Sequence, residues 1–192
     1  FSAALCDISD ADEVSALFER ERPDIVFHAA ALKHVPLAEA HPSRAAKINI
    51  LGTRIIAEAC EAVGADLVFV STDKAVHPKS VMGATKRLGE LYCRARDEQG
   101  EAEPRRIVVR LGNVLGSAGS AAPLFERQLA EGGPITVTHE RAERFFVALE
   151  QAADCIMLAA GAGLAPNAPR GVAYVLEMGA PAQILELAHD II

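Results

Sequence analysis

Four consecutive residues, Ser71-Thr72-Asp73-Lys74, place two hydroxyls, a carboxylate and an amine at the end of a short apolar run, Asp66-Leu-Val-Phe-Val-Ser71. Groups of these types can hold a substrate hydroxyl, give up a proton and take one, which is general acid–base chemistry. A polar strand end that only caps a loop has the same composition. Just downstream, Met82-Gly-Ala-Thr-Lys86 opens an amphipathic segment. Met82 and Lys86 are four apart and share a helix face, so Lys86 can reach back toward the strand end. A solvated helix lysine is the plain alternative.

Two further groups follow other apolar runs. His28-Ala29-Ala30-Ala31-Leu-Lys33-His34-Val-Pro36 leaves the run Asp24–His28. Its three alanines let a flat ligand approach the backbone, and Lys33 and His34 add positive or titratable groups beside it. Arg110-Leu111-Gly-Asn113-Val-Leu-Gly-Ser117 leaves the run Arg106–Leu111 with Asn113 and Ser117 in a glycine-bearing loop. Arg141 and Arg144 suit a phosphate, although a solvated charged loop explains them equally well. His28, His34, His41 and His77 lack metal-ligand spacing, so no metal site is expected.

The elements that must position these groups alternate. Strands are predicted at Asp24–His28, Asp66–Ser71 and Arg106–Leu111, with helices at 10–22, 43–63 and 82–98. Strand alternating with helix implies right-handed βαβ units and an α/β, doubly wound, Rossmann-like parallel sheet. Side chains at its C-terminal strand ends face a ligand crevice. The opening Phe1–Asp7 reads as the end of an earlier strand, so about two βα units, roughly 60 residues, are expected ahead of it. The Asp24 strand would then expose an edge. No G-x-G-x-x-G motif is present. Gly161-Ala-Gly163 runs into Leu-Ala-Pro166 and comes too late.

Beyond Leu111 the texture loosens. We expect a helix at 123–131, a strand at 135–138, a helix at 150–160, a Pro/Gly-rich loop at 161–171, a strand at 172–177 and a helix from Ala182. This divides the chain into a partial nucleotide-binding part, 1–117, and a smaller mixed region, 118–192, interleaved with it over the crevice.

Composition narrows the classes. The 192 residues are half apolar, enough to bury a core, and carry a formal charge of −7 without a long basic run. Nucleic acid is therefore not the expected partner, whereas a small anion needs only a few local cations. No apolar run approaches the length of a membrane helix. Asp7, Asp10 and Asp12 stand where a signal peptide would be basic. Four scattered cysteines read as reduced residues of a cytoplasmic protein.

The stretches 28–36, Ser71-Thr-Asp-Lys-Ala-Val76, Val81–Lys86, 110–117, Gly133-Pro-Ile-Thr-Val-Thr-His139 and Met178-Gly-Ala-Pro181 carry a resemblance. In this order they resemble the extended short-chain dehydrogenase/reductases. Within these they are most similar to the polysaccharide-biosynthesis (CapD-like) group of UDP-N-acetylglucosamine 4,6-dehydratases. The resemblance implies bound NAD or NADP, with Asp7 and Ile8 at the adenine and Ala29, Ala30 and Ala31 along the cofactor. It adds Lys33, Asn49, Ser71 and Leu111 to that site and puts Lys86 on the nicotinamide ribose. It implies a UDP-sugar held by Lys33, His34, Thr72, Asn113, Ser117 and Arg144. Catalysis would fall to Thr72, Asp73, Lys74, Met82 and Lys86, Met82 standing where the wider family has tyrosine. The implied reaction is redox-neutral. Hydride leaves sugar C4, Lys74 removes the C5 proton, Asp73 protonates the departing C6 hydroxyl, and hydride returns to C6. Asp73, through water, would also take the C4 hydroxyl proton that Thr72 holds. A nucleotide-sugar epimerase and a truncated, non-catalytic module that binds nucleotide sugar are the competing readings. A homo-oligomer and a cytoplasmic location, as the cytoplasmic domain of a longer membrane-anchored protein, are also expected.

Overall fold

A computed structural model describes residues 2–100, 104–117, 120–137 and 139–191. The chain forms two compact units, 1–110 with 156–174, and 111–155 with 175–192.

In the first unit, helix α1 (Ala11–Glu21) starts where the Asp10 carboxylate accepts from the N–H groups of Asp12 and Glu13. That arrangement satisfies donors a helix start leaves open. It stops at Arg22, left-handed at φ 43°, just before Pro23. Strand β1 (Ile25–His28) follows, then the short helices α2 (Val35–Ala40) and α3 (Pro42–Ala46), each with proline in its first turn. A π-helical segment, Lys47–Gly52, leads into α4 (Thr53–Val63), which ends on left-handed Gly64. Strand β2 (Asp66–Thr72) passes into a 3₁₀ turn, Asp73–Ala75. Helix α5 (Val81–Gln99) and strand β3 (Arg106–Leu111) complete the framework. Later in the chain come α7 (Leu149–Leu164) and β7 (Ala173–Val175).

The sheet order is β1-β2-β3-β7, with β1 at the edge. β1 and β2 are parallel, His28 opposite Phe69. β2 is sealed on both faces: Leu67, Val68 and Phe69 are all at 0% exposure. Its unbroken apolar run, rather than an alternating one, follows from that. Val14, Phe18, Ile56, Ala57, Cys60 and Cys93 pack around it. Cys60 and Cys93 are buried thiols, each pushed up to about 12 by burial.

The C-terminal end of α5 is tied down by Asp97, at 1% exposure. Its carboxylate takes Arg105 Nε at 3.0 Å and Nη2 at 3.3 Å, and the backbone N–H groups of Arg106 and Gly171 at 2.9 Å each. Arg105 Nη1 also reaches the Gly163 carbonyl at 2.7 Å. One carboxylate thus joins the end of α5 to the start of β3 and to the loop after α7.

The second unit holds β4 (Asn113–Val114), α6 (Ala121–Ala130), β5 (Glu143–Arg144), β6 (Phe146–Val147), β8 (Ala182–Gln183) and α8 (Ile184–Ile191). β4 lies parallel to β6, and β5 antiparallel to β8. Phe125, Ile184 and Ala188 form its core. Gly112 allows a close approach: a Cβ there would stand 2.5 Å from Met178 Sδ.

Several sequence expectations give way. Residues 2–7 are not a strand; Leu5 is fully exposed and has no strand partner to order it. The helix expected over 43–63 widens at Lys47–Gly52 into a π-helical turn, which holds Asn49, described below. Residues 135–137 are irregular, and Thr138 lies outside the described residues. Gly161 and Gly163 belong to α7, because Gly163 seats the helix on Ile107, its Cβ position only 2.6 Å from that side chain. Helix α2, not anticipated, forms where Pro36 supplies an N-terminal first turn.

Candidate functional site

The end of β2 gathers the polar side chains of the candidate site in the first unit. Thr72 is the last residue of the strand and caps the 3₁₀ turn, its Oγ1 accepting from the Lys74 N–H. The same hydroxyl donates to Asp73 Oδ1 at 2.8 Å, and Lys74 Nζ donates to that same oxygen at 2.8 Å. All three side chains are half-buried. A carboxylate oxygen flanked by a hydroxyl and an ammonium can move protons in either direction at a bound sugar.

Helix α5 forms the floor under this turn. Ser80 caps it by accepting from the Gly83 N–H at 3.1 Å, and Glu39 of α2 accepts from the Val81 N–H at 2.7 Å. Gly83 sits directly against the turn: a Cβ on it would be 2.5 Å from the Lys74 carbonyl oxygen. Met82 is buried, packed with Ala38, Ala45, Leu32 and Val35. Lys86, at 5% exposure, donates to the Val70 carbonyl at 2.7 Å and stands 4.0 Å above the centre of the Phe69 ring. Such an ammonium–ring contact is worth about 0.5–2 kcal/mol. Burial pushes Lys86 down to about 8. Ser71 Oγ is buried without a hydrogen-bond partner, beside the Glu90 carboxylate.

A second network binds the loop after β1 to α5. Asn49 Oδ1 accepts from the Leu32 N–H at 2.7 Å, and its Nδ2 donates to the Leu32 carbonyl at 3.1 Å and to Thr85 Oγ1 at 2.9 Å. Thr85 passes its proton to the Met82 carbonyl. Asn49 lies in the π segment, and that wider turn presents its amide to another chain segment. Thr53 Oγ1 donates to the Asn49 carbonyl at 2.8 Å and lies 3.1 Å from His28 Nε2. A hydroxyl has one proton, so the imidazole proton is assigned to Nε2 and points at Thr53. Burial, then the charge of Lys86, pushes His28 down to about 4 and keeps it neutral.

The other expected residues fall as follows. Asp7 is exposed, its Oδ1 accepting from the Ser9 N–H and hydroxyl; the first of these bonds contributes most to holding it below the usual carboxylate range. Ile8 packs on Gly52. Ala29 and Ala30 are exposed and Ala31 half-buried; Lys33 is exposed, and His34 caps α2 without a side-chain bond. Leu111, Asn113, Ser117 and Arg144 belong to the second unit. There Asn113 Nδ2 donates to the Phe145 carbonyl at 3.0 Å, and exposed Arg144 donates to the Glu143 carbonyl at 2.7 Å. Sequence reasoning passed over Gly83, Thr53, Thr85, Phe69 and Glu90. The legible signal was Glu90, one turn beyond Lys86 on the same helix face.

Among the described residues no three His, Cys, Asp or Glu side chains converge as a metal site, and no helix is long and apolar enough to cross a membrane. Known proteins resemble the chain along its whole length. It is 42% identical over 193 residues to the capsular polysaccharide biosynthesis protein CapD of Staphylococcus aureus, covering all of this chain and 31% of that protein. It is 39% identical over 147 residues to the UDP-N-acetylglucosamine 4,6-dehydratase (inverting) of Campylobacter jejuni, covering 75% of this chain and 43% of the enzyme. The UDP-glucose 4-epimerase of Rickettsia akari matches at 38% over 138 residues, 71% of this chain and 40% of that enzyme. Among solved structures, Pen from Bacillus thuringiensis superposes with a TM-score of 0.86 at 34% identity, over 98% of this chain and 56% of that one. The chain therefore spans about a third to a half of the relatives it matches. A family model described as polysaccharide biosynthesis protein matches residues 1–192, and the chain belongs to that family.

Proposed function

We propose that this chain carries the proton-transfer centre of a nucleotide-sugar 4,6-dehydratase acting on a UDP-N-acetylhexosamine, NAD(P)-dependent and without net redox change. The observation that carries the reading is the Thr72–Asp73–Lys74 cluster at the end of β2, with both donors on one Asp73 oxygen. Identity alone does not separate dehydratase from epimerase, since both kinds of relative match nearly equally. The side chains do. Met82 has no ionisable group and is packed away, so proton traffic falls to Asp73 and Lys74, the pair a dehydration needs and an epimerisation does not.

The residues present fit a nicotinamide cofactor in two respects. Small, open Ala29 and Ala30 border the end of β1, and Ser71 Oγ is a buried hydroxyl still lacking a partner. Lys86, Ser71, Lys33 and the alanines would hold it, with Asp7 and Ile8 toward its adenine, while Asn49, its amide spent on Leu32 and Thr85, would only fix the loop that carries the alanines. When bound, the cofactor supplies a hydride acceptor that later returns the hydride. Thr72 orients the C4 hydroxyl. Asp73 takes that hydroxyl's proton and afterwards protonates the leaving C6 hydroxyl. Lys74, once it has given up the proton it directs at Asp73, removes the proton at C5 and returns it there when C6 is reduced. Lys33 and His34, on the loop after β1, would contribute substrate contacts.

The complete gene product carrying this chain is incubated with UDP-N-acetylglucosamine and NAD⁺ or NADP⁺, and the sugar nucleotide is weighed. Loss of one water supports dehydration; an isomer of unchanged mass establishes epimerisation and refutes it. Asp73→Asn and Lys74→Ala are each expected to cut turnover about a hundred- to ten-thousand-fold. Wild-type turnover in both would remove the assignment.

A further inference from the structure

Helix α5 buries two full charges one turn apart, Lys86 at 5% and Glu90 at 0% exposure. Residues four apart lie on the same helix face. The direct contacts of Lys86 are a carbonyl and an aromatic ring, neither of them an anion. Glu90 is fixed from elsewhere. Arg110 Nε and Nη2 close on its two oxygens at 2.8 and 2.6 Å, and Arg87 Nη1 adds a contact at 3.1 Å. A two-pronged guanidinium–carboxylate bond of this kind sets direction as well as attraction. Burial drives Glu90 upward, but the guanidiniums of Arg110 and Arg87 outweigh it and hold the carboxyl below its ordinary value. Glu90 is therefore an anion, held at a set place.

The other groups around Lys86 supply no counter-charge. From β1, His28 is neutral, as derived above. On α5 itself the Cys93 thiol, and from α4 the Cys60 thiol, are pushed up to about 12, so both are uncharged where Lys86 titrates. From the turn after β2, Asp73 is committed to Lys74. From β3, Arg110 is closed on Glu90 and Arg106 on Glu61. From α2, Glu39 is engaged by the Val81 N–H at the start of α5, so among the described residues Glu90 is the anion one turn from Lys86.

We infer that Glu90, clamped by Arg110, is a positioning residue for Lys86, its carboxylate being the counter-charge that keeps the buried ammonium protonated and seated on the Val70 carbonyl and the Phe69 ring. The consequence rests on the proposed function: a charged Lys86 can only donate to a ribose hydroxyl, whereas a neutral one is a weaker donor that can also accept. The inference itself concerns Lys86 alone.

The test reads that lysine directly. In the isotope-labelled chain, the side-chain nitrogen and adjacent carbon resonances of the five lysines are titrated by NMR, and Lys86 is assigned by its loss in Lys86→Arg. Wild-type Lys86 is expected to titrate near pH 8. In Glu90→Gln the midpoint falls by about one unit or more, and Glu90→Asp recovers part of that fall. Glu90→Gln leaves Arg110 buried without a partner, so the double variant Glu90→Gln/Arg110→Met removes the pair together. The Lys86 midpoint is expected to fall there too, because Glu90 shares the helix face of Lys86 while Arg110 stands on the neighbouring strand β3. A midpoint that stays or rises in the folded double variant overturns the inference. A purely structural role would lower the unfolding midpoint of Glu90→Gln and leave the Lys86 titration in place. Failure of the dehydration assay with a shifted Lys86 would refute the proposed function and leave this inference standing.

Discussion

Replacing glycine by alanine inside a helix ordinarily stabilises it, by up to about 1 kcal/mol. Gly83→Ala is expected to do the opposite. Its Cβ would lie 2.5 Å from the Lys74 carbonyl oxygen, against a floor of 3.0 Å for real Cβ contacts, and 3.3 Å from Pro78 Cβ. The obstructing atom is backbone of the 3₁₀ turn, so no rotamer change relieves it. The turn must move by at least 0.5 Å, the difference between those two distances. Overpacking of this kind costs about 1–3 kcal/mol, which exceeds the propensity gain. Gly161 is the control. It also lies within a helix, α7, but nothing stands within 4 Å of its Cβ position. Urea denaturation at constant slope should therefore give a lower midpoint for Gly83→Ala and an unchanged or higher one for Gly161→Ala. A displacement of this size at reacting groups also predicts a turnover loss of roughly tenfold or more, scaled from about a hundredfold per ångström. If Gly83→Ala unfolds at or above the wild-type midpoint, the turn does not rest on this helix and the derived geometry is wrong.

His28 is neutral in the fold and titrates near 6.5 when exposed, so its depressed value of about 4 links stability to pH. The unfolded chain binds the extra proton, and up to about 3 kcal/mol is lost as pH falls from 6.5 toward 4; denaturation midpoints across that window should flatten in His28→Gln. Asp97→Asn strips the charge that Arg105 and two backbone N–H groups share. It should cost about 3–5 kcal/mol, and a loss below 1 kcal/mol in calorimetry would count against the anchoring role. Cys60 and Cys93 are buried while Cys6 and Cys155 are partly open. A thiol reagent should therefore label the latter pair in the native protein and all four after denaturation.

The sheet and the positions of its reacting ends were legible because fully buried strands announce themselves as apolar runs. β3 appears at its expected limits, and β2 extends one residue further, to Thr72. What periodicity could not show is where a side chain overrides the helix pattern. Asn49 reads as an ordinary polar residue on an amphipathic helix, yet from within the π turn its amide satisfies the Leu32 N–H and carbonyl. Nor does periodicity separate a short helix after proline from a loop, as α2 shows. At the candidate site, residue types pointed to Asp73, Lys74 and Lys86. Gly83, which fixes the height of the turn, has no side chain to suggest chemistry and becomes visible only through what its absent Cβ would strike.

Position 82 bears on why the site is built this way. Its side chain is 5% exposed, among the fully buried Ala38 and Ala45, and its carbonyl is held by Thr85, which Asn49 holds in turn. Small alanines opposite a flexible thioether give a filled pocket. A larger phenol turned the same way would have to displace α2 or α3 and bury a hydroxyl without a partner, at a cost of about 1–3 kcal/mol. The first turn of α5 therefore acts as a shelf rather than a source of base. Met82 anchors the loop after β1, Gly83 lets the Asp73–Lys74 turn rest on the helix, and Ser80 with Glu39 satisfies the open N–H groups at its start. In the proposed dehydration, proton transfer falls to the residues this shelf supports, and Lys86 lies one turn deeper on the same helix face.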